Sequence, residues 1–363
     1  MSTIIFISGL EYFRHRFFNV FLYLHIVSFS LFYLFAVLHS PSAQLPYVTI
    51  AISIYAIDRL IRVWRGLGAI TPKVAEKLPG GACRLRFAQK TSTPYRCGQY
   101  VLLRIPVISR HEWHPFTLSS APNEDTCEVT VKRCGDYTAK LCEYIEKDDA
   151  LGSGKPSSLR IHVDGPYGHL KMQPNRYENV VLIGGGIGVT PLMSILKHIF
   201  GTNTSQANAG CVKNVYLLWS IPSHNELQWF LNDLHIAYEN IMNANIEHGL
   251  SMHSSQPTLS CRIFFTRPRN DVHESVKPFH QGIDVCVGRP DFDEEMRYIV
   301  NRCRGYVSTH TNQLDVNDNN NNSRSVCIGV YVCGPRKLAN KAWKSANRYN
   351  HGKIRVDIDV MTF

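Results

Sequence analysis

The feature that most limits the fold of this chain is a long apolar segment near its N-terminus. Residues Phe17–His39 contain no formal charge, and Arg14 and Arg16 precede them. As a helix, this segment would measure about 35 Å, which exceeds the roughly 30 Å hydrocarbon core of a bilayer. The segment therefore predicts a membrane-spanning helix. A secretory signal peptide is the alternative, since "HSPSAQ" resembles a cleavage site, but its apolar part is usually only about 7 to 15 residues long.

A second, shorter apolar run follows after a Ser/Pro-containing stretch and ends in the basic sequence "DRLIRVWRG". Basic residues at both outer ends of the pair predict a helical hairpin with both ends in the cytosol. We therefore predict a membrane hairpin over residues 1–66, with spans at about 17–39 and 45–60. The rest of the chain is predicted to be cytosolic, at the endoplasmic reticulum or the plasma membrane.

Composition agrees with a membrane-attached protein that has folded domains beyond the hairpin. The chain has 363 residues, and the part after the hairpin is long enough for two domains. The net charge of +10 suits an anionic membrane surface or phosphorylated cofactors and does not require nucleic acid. The eleven cysteines include no C-x-x-C pair, which argues against a zinc site or a disulfide framework.

The spacing of apolar residues in the remaining chain predicts two domains of different type. Residues 67–175 contain short alternating runs separated by Gly, Pro and Ser, which predict an antiparallel β-barrel domain. Residues 176–363 repeat the order strand, turn, helix, which predicts an α/β domain with a parallel sheet. The Asn-rich stretch 311–325 is predicted to be a disordered insertion in this second domain.

One glycine-rich turn follows an apolar strand in "VVLIGGGIGVTP". Such a turn lets backbone N–H groups approach a phosphate at a helix N-terminus. Its spacing is not G-x-G-x-x-G, so the usual dinucleotide fingerprint is absent, and a turn that only packs a helix on a strand remains the alternative. The candidate cofactor-binding residues are Gly184, Gly185, Gly186, Gly188, Thr190 as a helix N-cap, and Pro191 at the first helical position.

Two motifs in the predicted barrel favour a flavin. "HPFTLSS" combines an aromatic side chain with several hydroxyls at a strand end, and a flavin needs a flat apolar contact and hydrogen-bond donors. The alternative is a β-turn that carries these side chains without binding a flavin. In "VKRCGDYTAKL", Gly135 and Thr138 lie where a strand passes into a helix, which is a second phosphate-facing N-terminus. The candidates in the first motif are His114, Pro115, Phe116, Thr117 and Ser119.

The order of these motifs, followed by "GPYG" and "CGP", resembles the ferredoxin-reductase-like module of the ferric reductase and NADPH oxidase family. In that family, a helix with two histidines 13 or 14 residues apart ligates two hemes. Here His25 and His39 are 14 residues apart. That spacing corresponds to about 21 Å and about 40° around a helix, enough to place one heme near each leaflet.

The resemblance implies a role for each matching position. The HPFT residues would contact FAD and its ribityl chain, Gly135 and Thr138 would face its pyrophosphate, and the glycine turn would hold NADPH. Cys333, Gly334 and Pro335 would lie near the nicotinamide, and Phe363 would stack on the flavin ring. His25 and His39 would ligate the iron of heme b.

The activity implied by the resemblance is electron transfer from NADPH through FAD and heme to an acceptor. The acceptor would be molecular oxygen, giving superoxide, or a ferric chelate. Two other functions remain open at this point. One is a heme-free, membrane-anchored NAD(P)H flavin reductase, and the other is a non-catalytic truncated partner of a full-length relative.

The chain departs from the family pattern in two ways. Many family members carry an arginine for the 2′-phosphate of NADPH after the strand "VYLLW", where this chain has Trp219, Ser220 and Ile221, so Arg289 is the remaining candidate. The family also has about six membrane spans, whereas two are predicted here. We therefore expect a truncated gene product, or hemes completed by a second membrane subunit or by another copy of the chain.

Overall fold

The fold is described by a computed structural model, which divides the chain into two compact units, Met1–Leu67 and Gly68–Phe363. The structure describes residues 6–7, 9–11, 17–66, 68–89, 95–150, 159–201, 210–247, 257–267, 282–311, 326–352 and 354–361.

The first unit contains two long helices in contact, α1 (Phe18–His39) and α2 (Pro41–Gly66). Only Ser40 separates them, so the stretch predicted as a turn before residue 45 is already helical. Within the described residues, one helix is long and apolar enough to cross a membrane, Val20–His39, with a mean hydropathy of 2.1. The second predicted span does not meet this criterion, because α2 is less apolar than α1 and its last part contains Asp58 and several arginines.

Both helices suit apolar surroundings through their side chains. Large apolar residues are exposed along each helix, including Leu38 in α1 and Ile54 in α2. In α2 the hydroxyls of Thr49 and Ser53 donate to the carbonyls four residues earlier, each at 2.8 Å. These bonds satisfy the two polar groups within the helix itself, as hydrocarbon surroundings require.

The second unit begins with an antiparallel β-barrel. Its strands form two three-stranded sheets, β1-β2-β5 and β4-β3-β6. A bridge between Leu118 and Val129 joins β4 to β5, and a bridge between Ile70 and Ile161 joins the other two edges. The six strands therefore close into a barrel, as the sequence predicted. The strands are β1 (Val74–Leu78), β2 (Ala82–Ala88), β3 (Tyr100–Arg104), β4 (His114–Thr117), β5 (Thr126–Lys132) and β6 (His162–Tyr167).

Alternation of side chains explains the barrel core. In β2, Cys83, Leu85 and Phe87 are buried in the core, and the arginines between them point outward. Helix α3 (Asp136–Ala150) contacts β1 and β2 and buries its apolar face on them.

The rest of the unit is a six-stranded parallel sheet of order β10-β9-β8-β7-β11-β12. Continuous apolar runs form these strands because both faces of the sheet are covered. The chain leaves β7 toward β8 and later returns to β11 on the other side of β7, so the strand order reverses between β7 and β11. The strands are β7 (Asn179–Gly185), β8 (Asn214–Ile221), β9 (Thr258–Phe265), β10 (Ile283–Val287), β11 (Val326–Cys333) and β12 (Ile354–Met361).

Helices cover the two faces of this sheet in pairs. Helices α4 (Thr190–Phe200) and α5 (Leu231–Glu247) share one apolar core with the sheet. Helices α6 (Phe292–Thr311) and α7 (Arg336–Asn347) share the other. The predicted Asn-rich insertion begins at the last residue of α6, and its residues 312–325 lie outside the described residues.

Candidate functional site

Two glycine turns meet where the strand order of the parallel sheet reverses. The turn after β7 and the turn after β11 are neighbours, because Gly184 pairs with Cys333 in the sheet. A Cβ added to Gly185 would lie 2.9 Å from Cδ of Pro335, and one added to Gly188 would lie 2.7 Å from the carbonyl oxygen of Cys333. The glycines thus allow the two turns to touch, in the crevice where open parallel sheets bind ligands.

The turn after β7 also presents an open position. Gly186 has a φ of 55°, and a Cβ built there would meet no atom within 4 Å. The residues Gly186–Val189 form a 3-10 turn, and α4 follows directly. Gly186 therefore leaves room for a ligand to approach the backbone at the start of this helix.

The predicted cap of α4 needs a correction. Val189 occupies the N-cap position, and Thr190 is the first helical residue, followed by Pro191. The Thr190 hydroxyl donates to the carbonyl of Ile187 at 3.0 Å, so it closes the preceding turn instead of capping the helix.

In the barrel, the two predicted flavin motifs lie side by side. The His114 ring, on β4, stacks on the Tyr137 ring of α3 with centroids 3.8 Å apart, and its Nε2 is 2.9 Å from a carboxylate oxygen of Glu112. Pro115 is exposed, and Phe116 and Thr117 are half-buried. Tyr137 is a contact that the sequence reasoning passed over, although it lies inside the quoted motif.

The N-terminus of α3 is exposed and organised by one hydroxyl. Thr138 Oγ1 accepts hydrogen bonds from the N–H groups of Cys134 (2.9 Å) and Gly135 (3.0 Å). Gly135 is exposed, and a Cβ built there would meet nothing within 4 Å. The Thr138 hydroxyl therefore serves as an internal cap, and the predicted contact of this helix end with the FAD pyrophosphate stays a prediction.

We expect Thr138→Val to destabilise the start of α3. The variant leaves two N–H groups without their acceptor, which costs about 1 kcal/mol, as for a lost helix cap. Urea unfolding measures the change, and FAD titration shows whether the helix end also loses affinity for the cofactor. Thr138→Ser keeps the hydroxyl and is the matched control, and equal losses in both variants would contradict this account.

Ser119 has a different role from the predicted one. It is fully buried, and its hydroxyl donates to Oε1 of Glu128 at 2.9 Å. Its backbone N–H donates to the carbonyl of Glu128 at 2.8 Å. The hydroxyl is therefore used inside the protein, and the predicted flavin contact is corrected to an internal one.

Cys333 lies at the carboxyl end of β11, in contact with the glycine turn, but its side chain is buried. Burial raises the pKa of its thiol to about 12, so the thiol is protonated at neutral pH. Cys333 is therefore a neutral neighbour of the crevice and not a nucleophile. Phe363, the predicted stacking residue, lies outside the described residues.

The basic residues near the sheet edge include one that the sequence reasoning missed. Arg289 is exposed, two residues beyond β10, which is the edge strand and three strands away from β7. Arg267 is exposed beyond β9, and its backbone N–H donates to the carbonyl of Pro222, beyond β8, at 3.1 Å. Arg267 therefore lies one strand nearer to the crevice than Arg289 does, beside the residues that follow β8.

In α1, His25 and His39 occupy the positions predicted for heme ligation. The His25 ring lies between Phe21 and Phe29, with centroid separations of 5.3 and 5.6 Å, and its Nδ1 has no hydrogen-bond partner among the described residues. His39 is exposed in the last turn. Within the described residues, α1 carries two imidazoles, and their ligation of heme iron stays a prediction.

Matches to domain families cover most of the second unit. Residues 71–171 match a family described as an FAD-binding domain, and residues 177–347 match one described as a ferric reductase NAD binding domain. The glycine crevice leaves open space beside Gly186, and Gly135 is exposed at the N-terminus of α3, so a phosphorylated cofactor has room to approach the backbone at each helix start.

Three relatives that match about two thirds or more of the chain are named as oxidases. A superoxide-generating NADPH oxidase heavy chain of Dictyostelium discoideum is 29% identical over 93% of this chain and 48% of its own length. NADPH oxidase 1 of Mus musculus is 28% identical over 85% of this chain and 48% of its length. Dual oxidase 2 of Homo sapiens is 31% identical over 66% of this chain and 16% of its length. The chain thus spans about half or less of these relatives.

Proposed function

Because the chain belongs to the ferric reductase and NADPH oxidase family, we propose that it is a membrane-bound flavoprotein oxidoreductase. It takes electrons from NADPH onto FAD and passes them to molecular oxygen, giving superoxide. Two features support this proposal, the domain matches and the relatives, whose printed names describe NADPH oxidases. A ferric chelate is the alternative acceptor. The observation that supports it is the match of the second domain to a family described as a ferric reductase NAD binding domain.

The observation that carries the proposal is the crevice between the two glycine turns. It lies at the reversal of strand order, where doubly wound sheets bind nucleotides, and a barrel with an FAD-binding match precedes it in the same unit. When bound, FAD accepts two electrons as a hydride from NADPH and releases them one at a time. The protein's contribution is to bind and orient the two cofactors.

Each part of the site has a proposed task. The crevice glycines, with Pro335, hold the nicotinamide dinucleotide, and Cys333 lines its nicotinamide end. Phe116 and Thr117 contact the flavin, and His114 is held in place for the same purpose by its stack on Tyr137. Gly135, at the open end of α3, faces the FAD pyrophosphate.

The helices of the first unit are proposed to attach the chain to a membrane. Helix α1 has the length and hydropathy of a span, and the basic end of α2 suits the cytosolic surface. Heme at His25 and His39 needs a second imidazole for each iron from outside the described residues. We propose that a second membrane subunit or another copy of the chain supplies them. The heme-free flavin reductase is the second candidate function, because the described helix carries only half of the ligand set.

An absorption spectrum of the full chain, purified from membranes, tests these proposals together. We expect flavin absorption that bleaches on anaerobic addition of NADPH and superoxide production when oxygen returns. If NADPH does not bleach the flavin, the proposed oxidoreductase activity is refuted. A Soret band that shifts on reduction supports heme at His25 and His39, and bleaching without a Soret band supports the heme-free reductase.

We expect Arg267→Ala to raise the KM for NADPH about tenfold, since a charged contact to phosphate contributes roughly 1.5–3 kcal/mol. Arg289→Ala is expected to have a smaller effect, because Arg289 lies one strand farther from the crevice. The KM for NADH, which lacks the 2′-phosphate, serves as the internal control in both variants. Equal increases for NADPH and NADH would contradict a phosphate contact.

A further inference from the structure

A buried group of charges joins the barrel to the parallel-sheet domain. Nζ of Lys197, on α4, lies 2.9 Å from Oδ1 of Asp233 on α5 and 3.3 Å from Oε1 of Glu128 on β5. Lys197 is 9% exposed and Glu128 is 1% exposed. Arg86 of β2 also contacts Glu128, at 2.6 Å. One carboxylate of the barrel is therefore held by its own domain and by the neighbouring one.

Both partners of the interdomain pair keep their charge. Burial acts to raise the pKa of Glu128, but Lys197, Arg84 and Arg86 outweigh it and hold that pKa at about 2. Burial acts to lower the pKa of Lys197, but its acidic neighbours, Asp233 first, outweigh it and raise that pKa. An ionised pair in this buried place resists separation, since each charge would be left without compensation.

The lysine end of this pair is tied rigidly to the nucleotide crevice. Lys197 follows Thr190 by seven residues on one helix, which corresponds to about 10 Å along the axis and about 20° around it. Between them, the Ser194 hydroxyl donates to the carbonyl of Ser120 in the barrel at 2.6 Å. One side of α4 therefore faces the barrel from the glycine turn to Lys197.

The glutamate end of the pair is tied to the flavin motif. Glu128 accepts from the hydroxyl and from the backbone N–H of Ser119, which follows Thr117 of that motif by two residues. The backbone N–H of Glu128 donates to the Ser120 hydroxyl at 2.9 Å, and Tyr95 donates to the same hydroxyl at 2.7 Å. The barrel segment that leaves the flavin motif is thus fixed on Glu128.

Polar contacts act beside apolar packing where α4 meets the barrel. A cavity of about 320 Å³ lies beside the pair and is lined by Lys197, Arg86, Glu124 and Asp233 among others. Barrel residues such as Leu78 and Cys97 also pack in one apolar core with α4. Beside the cavity, the charged and hydrogen-bonded contacts add fixed points between α4 and the barrel.

We propose that Lys197 is a positioning residue for electron transfer from NADPH to the flavin. Acting through Glu128, it holds α4 and the glycine turn at a fixed distance from the flavin-facing segment. The inference rests on the proposed function, because it concerns transfer between the two halves of that site. Lys197 itself lies two helical turns from the crevice, so its effect is on geometry.

Stopped-flow bleaching of the flavin in the full chain, under anaerobic conditions, tests the role of Lys197. At saturating NADPH, we expect Lys197→Met to slow bleaching by about tenfold, because small misplacements of reactants slow transfer strongly. Flavin content and the Kd for NADPH are expected to change by less than about twofold, since neither binding half loses a contact. Reoxidation of dithionite-reduced flavin by ferricyanide should be unchanged, because that step does not involve α4.

Two further variants separate positioning from general damage. Lys197→Arg keeps the charge and is expected to recover most of the bleaching rate. Lys213→Met is the matched control, because Lys213 pairs with Glu178 at 2.8 Å on the surface of the same domain. Its bleaching rate should equal that of the wild type.

Three results would overturn the inference. Wild-type bleaching rates in Lys197→Met would remove the positioning role while leaving the proposed function intact. If Lys197→Met lacks flavin, Ser194→Ala is the variant to measure, because it removes one interdomain hydrogen bond and little volume. Bleaching that is several-fold slower in Ser194→Ala supports the positioning role, and an unchanged rate refutes it. A wild-type chain that NADPH does not bleach would overturn the proposed function, and the inference with it.

Discussion

Gly188→Ala is expected to abolish NADPH turnover almost completely while leaving the FAD content unchanged. The added Cβ would lie 2.7 Å from the carbonyl oxygen and 2.9 Å from the carbonyl carbon of Cys333, and 3.0 Å from Cα of Gly334. All three atoms belong to backbone, so no side chain can turn away to make room. The turns after β7 and β11 must move apart, and a displacement of this kind is expected to lower turnover about 100-fold.

Steady-state NADPH oxidation with an artificial acceptor measures this loss, and the flavin spectrum of the same sample shows that the barrel is intact. Gly9→Ala is the matched control, because a Cβ at Gly9 meets no atom of the described residues within 4 Å. Turnover of Gly188→Ala within about twofold of the wild type would contradict the close contact of the two turns, because misplaced reactants are expected to lower turnover far more than that.

The protein is expected to lose stability sharply in acid through Glu128. Its pKa of about 2 in the folded chain lies below the usual value of 4.5, so its contribution is fully present above about pH 4.5. As the pH falls from there toward 2, the folded state must bind a proton against Lys197, Arg84 and Arg86, and the contribution is lost. The difference between the two pKa values corresponds to about 3 kcal/mol of unfolding free energy at pH 7.

Urea unfolding, followed by the fluorescence of the buried Trp219 and Trp229, measures this dependence. The difference in unfolding free energy between the wild type and Glu128→Gln should shrink as the pH falls from 5 to 3. Glu146→Gln is the control, because its pair with Lys77 is half exposed and such pairs contribute less than about 1 kcal/mol. A difference between wild type and Glu128→Gln that stays constant with pH would contradict this role of Glu128.

Much of the architecture could be predicted from local patterns. Inward Cys83, Leu85 and Phe87 alternate with outward arginines, and this period of two predicts a strand with one buried face. The run of buried apolar residues in β7, followed by glycines and a helix, predicts a parallel strand and its crossover. Both patterns are local, and the structure confirms the antiparallel barrel and the parallel sheet.

The exact limits of the first two helices were harder to predict. The Ser/Pro-containing stretch before residue 45 resembles a turn, yet α2 begins at Pro41 because proline is accepted in the first turn of a helix. The start of α4 also differs by one residue from the prediction. The sequence predicts Thr190 as the N-cap because Pro191 follows it, whereas Val189 takes that position and the Thr190 hydroxyl closes the preceding turn.

Local sequence patterns were enough to identify the class of each element and the glycines at the crevice, because strand period, apolar runs and glycine spacing are properties of neighbouring residues. The contacts between distant residues were visible only in the folded protein. Folding placed Gly188 against Cys333, turned Ser119 inward to Glu128, and brought Lys197 of one domain to Glu128 of the other. These contacts join residues that are far apart in the chain, and their geometry depends on strand order and domain packing.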